Sequence, residues 1–294
     1  MLELTGVTKL YGERRAVDAV SFVVPAGSLT GFVGANGAGK TTTMRVVLGI
    51  VEADAGSVTW RGAPVDAAVR RRIGYMPEER GLYPRMQVRR QLVHLARLHG
   101  SAAAAARRRT DELLERLDLG ERADDQVDAL SLGNQQRAQI AAALVHDPDL
   151  LLLDEPFSGL DPVAVDRLTD LFREVAAGGV PVLFSSHQLE LVERLCDRVV
   201  VLAAGRVVAH GEVDELRRER TRTRHRLVLG GDAGWVRGAP RVSVVAVERN
   251  RALVEADDGA ALQALLAAAV RRGPVHEFSP VLPTLSELYR EVLA

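Results

Sequence analysis

Cysteine is nearly absent from this 294-residue chain. The single residue, Cys196, cannot form a disulfide within the chain, which favours a reducing compartment such as the cytoplasm. Excess charge is also missing, because the net charge is -1 at pH 7, and this excludes a positive field that would attract nucleic acid along the whole length. We therefore expect the arginine runs at 70–72, 107–109 and 217–226 to form solvated helix faces and a linker.

Long apolar runs are missing as well. No run reaches the roughly 18 residues that a membrane-spanning helix needs, and the nearest candidate, 260–270, has the pattern of an alanine-rich amphipathic helix. Residues 1–5 have neither the basic nor the apolar segment of a secretion signal. These features predict no direct membrane insertion, so any membrane role requires a partner. With 47% hydrophobic residues, the chain can form one large domain and one small domain.

Lysine is scarce too, since only Lys9 and Lys40 occur among 38 basic residues. Lys40 belongs to a segment of the pattern G-x-x-x-x-G-K-[ST], which reads Gly34-Ala35-Asn36-Gly37-Ala38-Gly39-Lys40-Thr41. A compact ammonium fits a tight glycine loop that a planar guanidinium cannot enter. An apolar run at 29–33 precedes the loop and a helical pattern at 41–48 follows it, which is the strand–loop–helix context that a phosphate-binding loop requires.

Backbone N–H groups of such a loop and the start of the following helix would surround the phosphates of a nucleotide. Lys40 would bridge the β- and γ-phosphates, and the Thr41 hydroxyl would hold Mg²⁺. The alternative is a glycine-rich surface turn without a ligand. The residues predicted to contact the nucleotide here are Gly34, Ala35, Asn36, Gly37, Ala38, Gly39, Lys40, Thr41 and Thr42.

A second chemical feature is the segment 150–155, four leucines followed by Asp154 and Glu155. Four apolar residues predict a buried strand, and ligands of open α/β sheets collect at the carboxyl ends of such strands. We expect Asp154 to hold Mg²⁺ through water and Glu155 to orient and deprotonate the attacking water. A solvated acidic turn would be the better interpretation only if the phosphate loop were absent.

Three further residues are candidates for the site, and the first two of them allow two interpretations each. Tyr11 ends a predicted strand and could stack on a nucleobase or be a half-buried strand tyrosine. His187 follows a predicted strand at 181–185 and could reach a γ-phosphate or be structural. Asp161 precedes Pro162 and is a candidate helix cap, and it lies in a turn that follows the carboxylate strand.

The arrangement of elements predicts an α/β domain over 1–220 and a small α+β accessory domain over 225–294. Antiparallel strands are expected at 2–10 and 16–24, and a helical subdomain at about 86–148 contains helical patterns at 88–118 and 134–146. In the small domain, strands are expected at 227–229, 242–247, 252–256 and 275–278, and helices at 260–272 and 284–293. That part has no glycine loop, metal-ligand spacing or nucleophile pattern, which favours docking or regulation over chemistry.

With these motifs in one order, residues 2–220 resemble the ATP-binding subunit of an ABC transporter, an ATPase with a P-loop NTPase core, an antiparallel β subdomain and a helical subdomain. The resemblance implies that 130–137, Leu-Ser-Leu-Gly-Asn-Gln-Gln-Arg, is the signature sequence, in which Ser131 and Gly133 contact the γ-phosphate of ATP held by the opposite subunit. It also implies that Tyr11 stacks on adenine, that 158–161 with Asp161 is the D-loop between subunits, and that His187 is the switch histidine.

The resemblance also implies the assembly: a homodimer or a paired ATPase subunit that encloses two ATP and Mg²⁺, works with integral membrane permease subunits and does not bind nucleic acid. The location would be cytoplasmic, at the inner face of the cell membrane through those subunits. The segment 278–289 is similar to the C-terminal extension of ABC-2-type, daunorubicin-resistance-like exporters, which favours export. The alternatives are an importer ATPase and a soluble ABC ATPase that acts on ribosomes or DNA.

The chain departs from the family pattern at two places. Leu132 and Asn134 stand where the signature normally has glycine and glutamine. Glu78 aligns with the glutamine of the family's Q-loop, which makes it a third candidate ligand for Mg²⁺ beside Thr41 and Asp154. A carboxylate at this position binds Mg²⁺ more strongly than an amide and can titrate.

Overall fold

The computed structural model describes residues 1–79, 81–219, 224–281 and 284–287, except the side chains of 218 and 219. The chain divides into two compact units, Met1–Val213 and Asp214–Ala294. The strands of the first unit are β1 (Leu2–Tyr11), β2 (Arg14–Val24), β3 (Leu29–Val33), β4 (Ala55–Trp60), β5 (Ala63–Pro64), β6 (Ile73–Met76), β7 (Leu150–Leu153), β8 (Val182–Ser186), β9 (Arg198–Ala203) and β10 (Arg206–Glu212). Its helices are α1 (Lys40–Val47), α2 (Ala67–Arg70), α3 (Val88–Leu98), α4 (Ala103–Arg116), α5 (Leu132–Leu144), α6 (Pro162–Ala177) and α7 (Leu189–Leu195).

A six-stranded sheet in the order β10-β9-β3-β8-β7-β6 forms the centre of the first unit. All its pairings are parallel except that of β10 with β9. Strands β3, β7 and β8 are buried along their whole length, as expected for apolar strands covered on both faces. Because they are parallel, the segments that follow their carboxyl ends meet at one edge of the sheet. These segments begin at Gly34, Asp154 and His187.

An antiparallel sheet in the order β2-β1-β4-β5 lies in the same unit. Its hairpin register makes Tyr11 and Arg14 direct partners. A shared hydrophobic core joins the two sheets and helix α1, and it includes Phe22, Phe32 and Met44. The rings of Phe22 and Phe32 lie 5.4 Å apart between centroids. This packing fixes the hairpin end relative to the glycine loop.

Helices α3, α4 and α5 form the predicted helical region. Leu92, Leu113 and Leu114 are fully buried in it. Helix α5 was predicted from 134, but it begins at Leu132 because the Ser131 hydroxyl caps it, accepting a hydrogen bond from the Asn134 backbone N–H at 3.4 Å. The confirmed fold class is therefore an α/β P-loop core with antiparallel and helical parts.

Helix α8 (Val213–Glu219) begins at the last residue of the first unit. The elements that follow are β11 (Arg224–Leu229), β12 (Val242–Glu248), β13 (Arg251–Ala256), α9 (Gly259–Arg272) and β14 (Val275–Val281). The strands form one antiparallel sheet in the order β12-β13-β11-β14 around a core that includes Leu227, Val254 and Leu265.

A 3-10 turn at Gly234–Gly238 in the second unit was not predicted. Of the helix predicted at 284–293, residues 288–293 lie outside the described part. Across the described ranges, no helix combines the length and apolarity needed to cross a bilayer.

Candidate active site

A cavity of about 520 Å³ opens where β3, β7 and the β1–β2 hairpin meet. It contains most of the predicted site residues. Its lining residues are Tyr11, Arg14, Ala16, Asn36, Gly37, Gly39, Lys40, Thr41, Thr42, Glu78, Asp154 and Glu155. The structure thus brings the glycine loop, the carboxylates after β7 and the hairpin tyrosine to one place.

The glycine loop requires glycine at three positions for two different reasons. Gly37 and Gly39 have left-handed backbones, with φ of 80° and 106°. Gly34 instead makes a close approach, because a Cβ there would lie 2.4 Å from the Leu202 carbonyl oxygen. Gly39 precedes α1 without a side-chain cap, so the N–H groups of the first turn remain available to an anion at the positive end of the helix dipole.

Lys40 is almost completely buried, with 7% of its surface exposed. Its ammonium donates to the carbonyl oxygens of Gly34 at 2.7 Å and Ala35 at 3.4 Å, and it lies 3.9 Å from Glu155 Oε1. A buried ammonium is stable only when oxygen atoms surround it. Lys40 is therefore held at the floor of the cavity, between the loop and the candidate base.

Asp154 follows β7 and is 1% exposed. The Ser185 hydroxyl donates to its Oδ1 at 2.5 Å, whereas its buried Oδ2 has no hydrogen-bond partner among the described protein atoms. Such an orphaned acceptor is costly and points to a missing ligand. With the Thr41 hydroxyl and Glu78 on the same cavity, the donors are all oxygen atoms, which is the ligand set that Mg²⁺ prefers. These residues therefore fit the Mg²⁺ that the family resemblance implies.

Glu155 combines burial with a charged surrounding. Burial raises the pKa of its carboxyl group, and the hydrogen bond from His187 and the Lys40 ammonium oppose that rise. His187 Nδ1 lies 3.1 Å from Glu155 Oε2. A carboxylate of raised pKa is a better proton acceptor, and a base must lie within reach of the water it activates. Glu155 lines the cavity and meets both requirements.

The hairpin end supplies an aromatic side chain at the mouth of the cavity. Tyr11 is 50% exposed there, and the Lys9 ammonium lies 5.8 Å from its ring centroid. An exposed aromatic ring beside a phosphate loop offers a flat face for a nucleobase. Its exposure favours stacking over the half-buried strand role.

Seven predicted residues do not line this cavity, and one of them, His187, instead contacts Glu155 as described above. Gly34, Ala35 and Ala38 form the framework of the loop, in which the Ala38 N–H donates to the Ala35 carbonyl at 3.0 Å. Ser131 and Gly133 lie at the start of α5, and Asp161 caps α6 through the Ala164 N–H at 3.0 Å.

Several residues of the site were not predicted. Arg14 and Ala16 line the cavity, and Ser185 contacts the Asp154 carboxylate. Gln136 on α5 donates to the backbone carbonyls of Glu155 and Pro156, both at 3.0 Å. Of these residues, only Arg14 could have been predicted from the sequence, because its place in the hairpin makes it the strand partner of Tyr11.

Two family models match the chain. A model described as ABC transporter matches residues 17–158, and one described as the C-terminal domain of DrrA1-3-like ATP-binding proteins matches residues 211–293. The first covers the glycine loop, α5 and the Asp154–Glu155 pair. The second covers nearly all of the second unit, so both units have known relatives.

Similar curated proteins include an uncharacterized ABC transporter ATP-binding protein, YhaQ, of Bacillus subtilis, 46% identical over 74% of this chain and 73% of the relative. The Nod factor export ATP-binding protein I of Burkholderia orbicola is 41% identical over 71% of this chain and 70% of the relative. These matches span more than two thirds of each relative.

Among solved structures, an ATP-binding subunit of an ABC transporter is 34% identical, with a TM-score of 0.69 over 74% of this chain and 92% of that one. A bacterial ABC transporter cassette, MJ0796, solved as a dimer, matches with a TM-score of 0.67 at 24% identity over 72% of this chain and 99% of that one. The second likeness shows the shared fold. The chain belongs to the ABC transporter ATP-binding proteins, and it is the ATP-binding, ATP-hydrolysing subunit of such a transporter.

Proposed function

We propose that this subunit drives the export of a small molecule through separate integral membrane subunits. The observation that carries the proposal is the match of residues 211–293 to the C-terminal domain of DrrA1-3-like ATP-binding proteins, joined to the relative named for Nod factor export. In this proposal residues 1–220 are the ATPase domain, with its helical subdomain at about 86–148, and 225–294 are the accessory domain. The subunit acts at the inner face of the membrane.

Within one copy, the loop 34–42 holds the phosphates, Lys40 neutralises the β- and γ-phosphate oxygens, and Tyr11 stacks on the adenine. Thr41, Asp154 and Glu78 hold Mg²⁺, which supplies charge stabilisation on the transferred phosphoryl group when bound. The orphaned Asp154 Oδ2 supports this ligand set.

Glu155 takes a proton from the attacking water, and His187 holds the Glu155 carboxylate in place and faces the γ-phosphate. Their 3.1 Å contact and the raised pKa of Glu155 support these roles. Two copies enclose two ATP molecules, and Ser131, Gly133 and Asp161 of each copy face the nucleotide of the other. The dimeric cassette MJ0796 offers a precedent for such pairing.

The membrane subunit docks on a second cavity, of about 880 Å³, in the helical region. It is lined by Tyr83, Pro84, Arg85, Met86, Gln87, Arg90, Asp124 and Gln126. Tyr83 is 68% exposed, although its backbone N–H donates to Gln91 Oε1 at 2.8 Å. An exposed aromatic residue on a fixed backbone is a typical anchor of a protein interface.

The test is co-expression with the polytopic membrane protein encoded beside this gene, followed by purification and transport assays in inside-out vesicles. We expect the two proteins to copurify and ATP to drive accumulation inside such vesicles, which is the direction of export. Accumulation only in right-side-out vesicles, dependent on an extracellular binding protein, would favour an importer. Copurification with ribosomes or DNA instead of a membrane protein would contradict the transport proposal.

A further inference from the structure

Ser185 contacts both Asp154 and Glu155 without lining the cavity itself. It is the fourth residue of β8 and is completely buried. Its hydroxyl donates to Asp154 Oδ1 at 2.5 Å and accepts the backbone N–H of Glu155 at 2.9 Å. One side chain therefore contacts both residues that follow β7.

The sheet explains why a serine can make both contacts. Strands β7 and β8 pair in parallel, with Leu153 opposite Phe184. The next residues along the two strands, Asp154 and Ser185, therefore face each other where β7 ends. A hydroxyl has one donor and two acceptor positions, and here the donor is used on the carboxylate and an acceptor on the amide. The two hydrogen bonds fix the rotation of the hydroxyl.

The first contact determines which Asp154 oxygen is available to a ligand. Because Ser185 occupies Oδ1, the unpaired Oδ2 is the oxygen left for a hydrated Mg²⁺. Because Oδ1 is held in this way, the carboxylate is not free to rotate and bring Oδ2 to another hydrogen-bond donor. Partners of this kind hold metal ligands in their working orientation.

The second contact stabilises an uncommon backbone conformation. Glu155 has φ of 52°, in the left-handed region that is sterically unfavourable for a non-glycine residue. Its N–H is held by Ser185 and its carbonyl by Gln136. With both ends of the residue fixed, the Glu155 carboxylate reaches His187 Nδ1 at 3.1 Å and Lys40 Nζ at 3.9 Å.

We propose that Ser185 is a positioning residue for ATP hydrolysis, whose single hydroxyl sets the metal-facing oxygen of Asp154 and the backbone of the base Glu155. The inference rests on the roles proposed above for Asp154 and Glu155. It adds a residue outside the cavity lining that acts through the Asp154 carboxylate and the Glu155 backbone. Removing the hydroxyl should therefore disturb Mg²⁺-dependent binding and turnover together.

The experiment compares Ser185→Ala, which removes the hydroxyl, with Ser185→Thr, which retains it. The matched control is Ser28→Ala, another buried serine, which contacts the Pro25 carbonyl at 2.9 Å and the Thr30 hydroxyl at 3.1 Å. Three quantities are measured on the full chain: kcat for ATP, the ATP dissociation constant without Mg²⁺, and the Mg²⁺ concentration that gives half-maximal tightening of ATP binding.

For Ser185→Ala we expect kcat to fall by about 10–100-fold and the half-maximal Mg²⁺ concentration to rise by about 10-fold or more, as for other partners of metal ligands. ATP affinity without Mg²⁺ should stay within about twofold, since the phosphate loop is untouched. In Ser185→Thr, kcat and the half-maximal Mg²⁺ concentration should both stay close to the parent values. Ser28→Ala should change neither kcat nor the half-maximal Mg²⁺ concentration.

The inference is wrong if Ser185→Ala keeps the parent kcat and Mg²⁺ dependence, or if Ser28→Ala loses both to the same degree, which would indicate a general packing effect. If Ser185→Ala fails to fold, the comparison is made between Ser185→Thr, which has a hydroxyl, and Ser185→Cys, which has none. Equal losses of kcat and Mg²⁺ dependence in these two variants would overturn the role of the hydroxyl. If the parent chain itself shows no Mg²⁺-dependent ATP turnover with its membrane partner, the proposed roles of Asp154 and Glu155 fail, which is a different result.

Discussion

The two units of this chain differ in where they place polar side chains. Among the described residues, every fully buried polar or charged side chain lies in the first unit, including Lys40, Asp154 and Ser185. Several described charges of the second unit instead form partly exposed pairs, such as Arg224 with Glu255 at 2.8 Å. Burying polar groups costs stability unless each one is paired, so a chain retains them where a ligand or a reaction needs them.

The candidate ATP site therefore lies in the first unit, and we expect the second unit to take no direct part in ATP hydrolysis. The first unit also contains a catalytic candidate, Glu155, with a left-handed backbone, and an unpaired buried oxygen on Asp154. Both features oppose stability and serve the site. The following variants test this division, from the largest expected effect to the smallest.

Glu155→Gln should have the largest effect, because it removes the proton acceptor and retains the size of the side chain. We expect kcat for ATP hydrolysis to fall by about 10²–10⁴-fold, while ATP still binds and holds two copies together. Turnover assays and the molecular mass in solution with ATP measure both effects. A variant with normal hydrolysis would show that Glu155 is not the base and that the first unit uses another group.

Leu265→Ala tests the second unit. Leu265 on α9 is 2% exposed, so its truncation should lower the stability of that unit by about 2–4 kcal/mol, measured by denaturant unfolding. The control is Val270→Ala on the same helix, where the side chain is 62% exposed and little should change. ATP turnover by the isolated subunit should stay at the parent level in both. A large loss of turnover in Leu265→Ala alone would break the proposed division.

Arg14→Gln tests a smaller effect within the site. Arg14 lines the cavity, and no acidic side chain in the described ranges forms an ion pair with it, so it can approach a phosphate. We expect ATP affinity to fall by about 3–10-fold, measured by titration calorimetry, because one charge-assisted hydrogen bond is lost. Arg15→Gln is the control, since Arg15 pairs with Asp18 at 3.0 Å and does not line the cavity. Equal losses in the two variants would indicate only a general charge effect.

His146→Gln should change the stability of the first unit mainly in acid. Burial, reinforced by neighbouring His99 at 3.9 Å between ring centroids, lowers the pKa of His146 from 6.5 to about 4. Between pH 4 and pH 6.5 the unfolded chain therefore binds more protons at His146 than the folded chain does. The free energy of unfolding is not reduced by this residue above about pH 6.5, and it decreases as the pH falls towards 4. Because His146 is partly exposed, we expect it to reduce the free energy of unfolding in acid by only about 1–2 kcal/mol.

The measurement is the unfolding midpoint of the first unit at pH 7 and pH 4.5. His146→Gln should lose less stability between these two values than the parent chain does. His94→Gln, which changes an exposed histidine on α3, should behave like the parent. If all three proteins respond equally to acid, other groups cause the acid sensitivity of this unit.

Local patterns sufficed to predict the strand–loop–helix segment at β3 and α1 and the buried strand β7, because glycine spacing and apolar runs act over a few residues. The predicted helix at 134–146 begins two residues late, because the cap at Ser131 makes Leu132 the first helical residue of α5. Contacts across the sheet were beyond the sequence. Ser185 meets Asp154 across 31 positions of the chain, and only the pairing of β7 with β8 brings them together. The backbone of Glu155 likewise follows from tertiary contacts and from no local signal.

The environment of Lys40 has one more consequence. Its ammonium has little contact with solvent and lies close to two peptide oxygens and a carboxylate of the protein itself. Dehydration of this cation therefore takes place once, when the chain folds, and is not repeated in each catalytic cycle. A phosphate oxygen that binds the ammonium only has to take the place of one of these protein oxygens. Little of the free energy of ATP binding is therefore needed to remove water from the lysine.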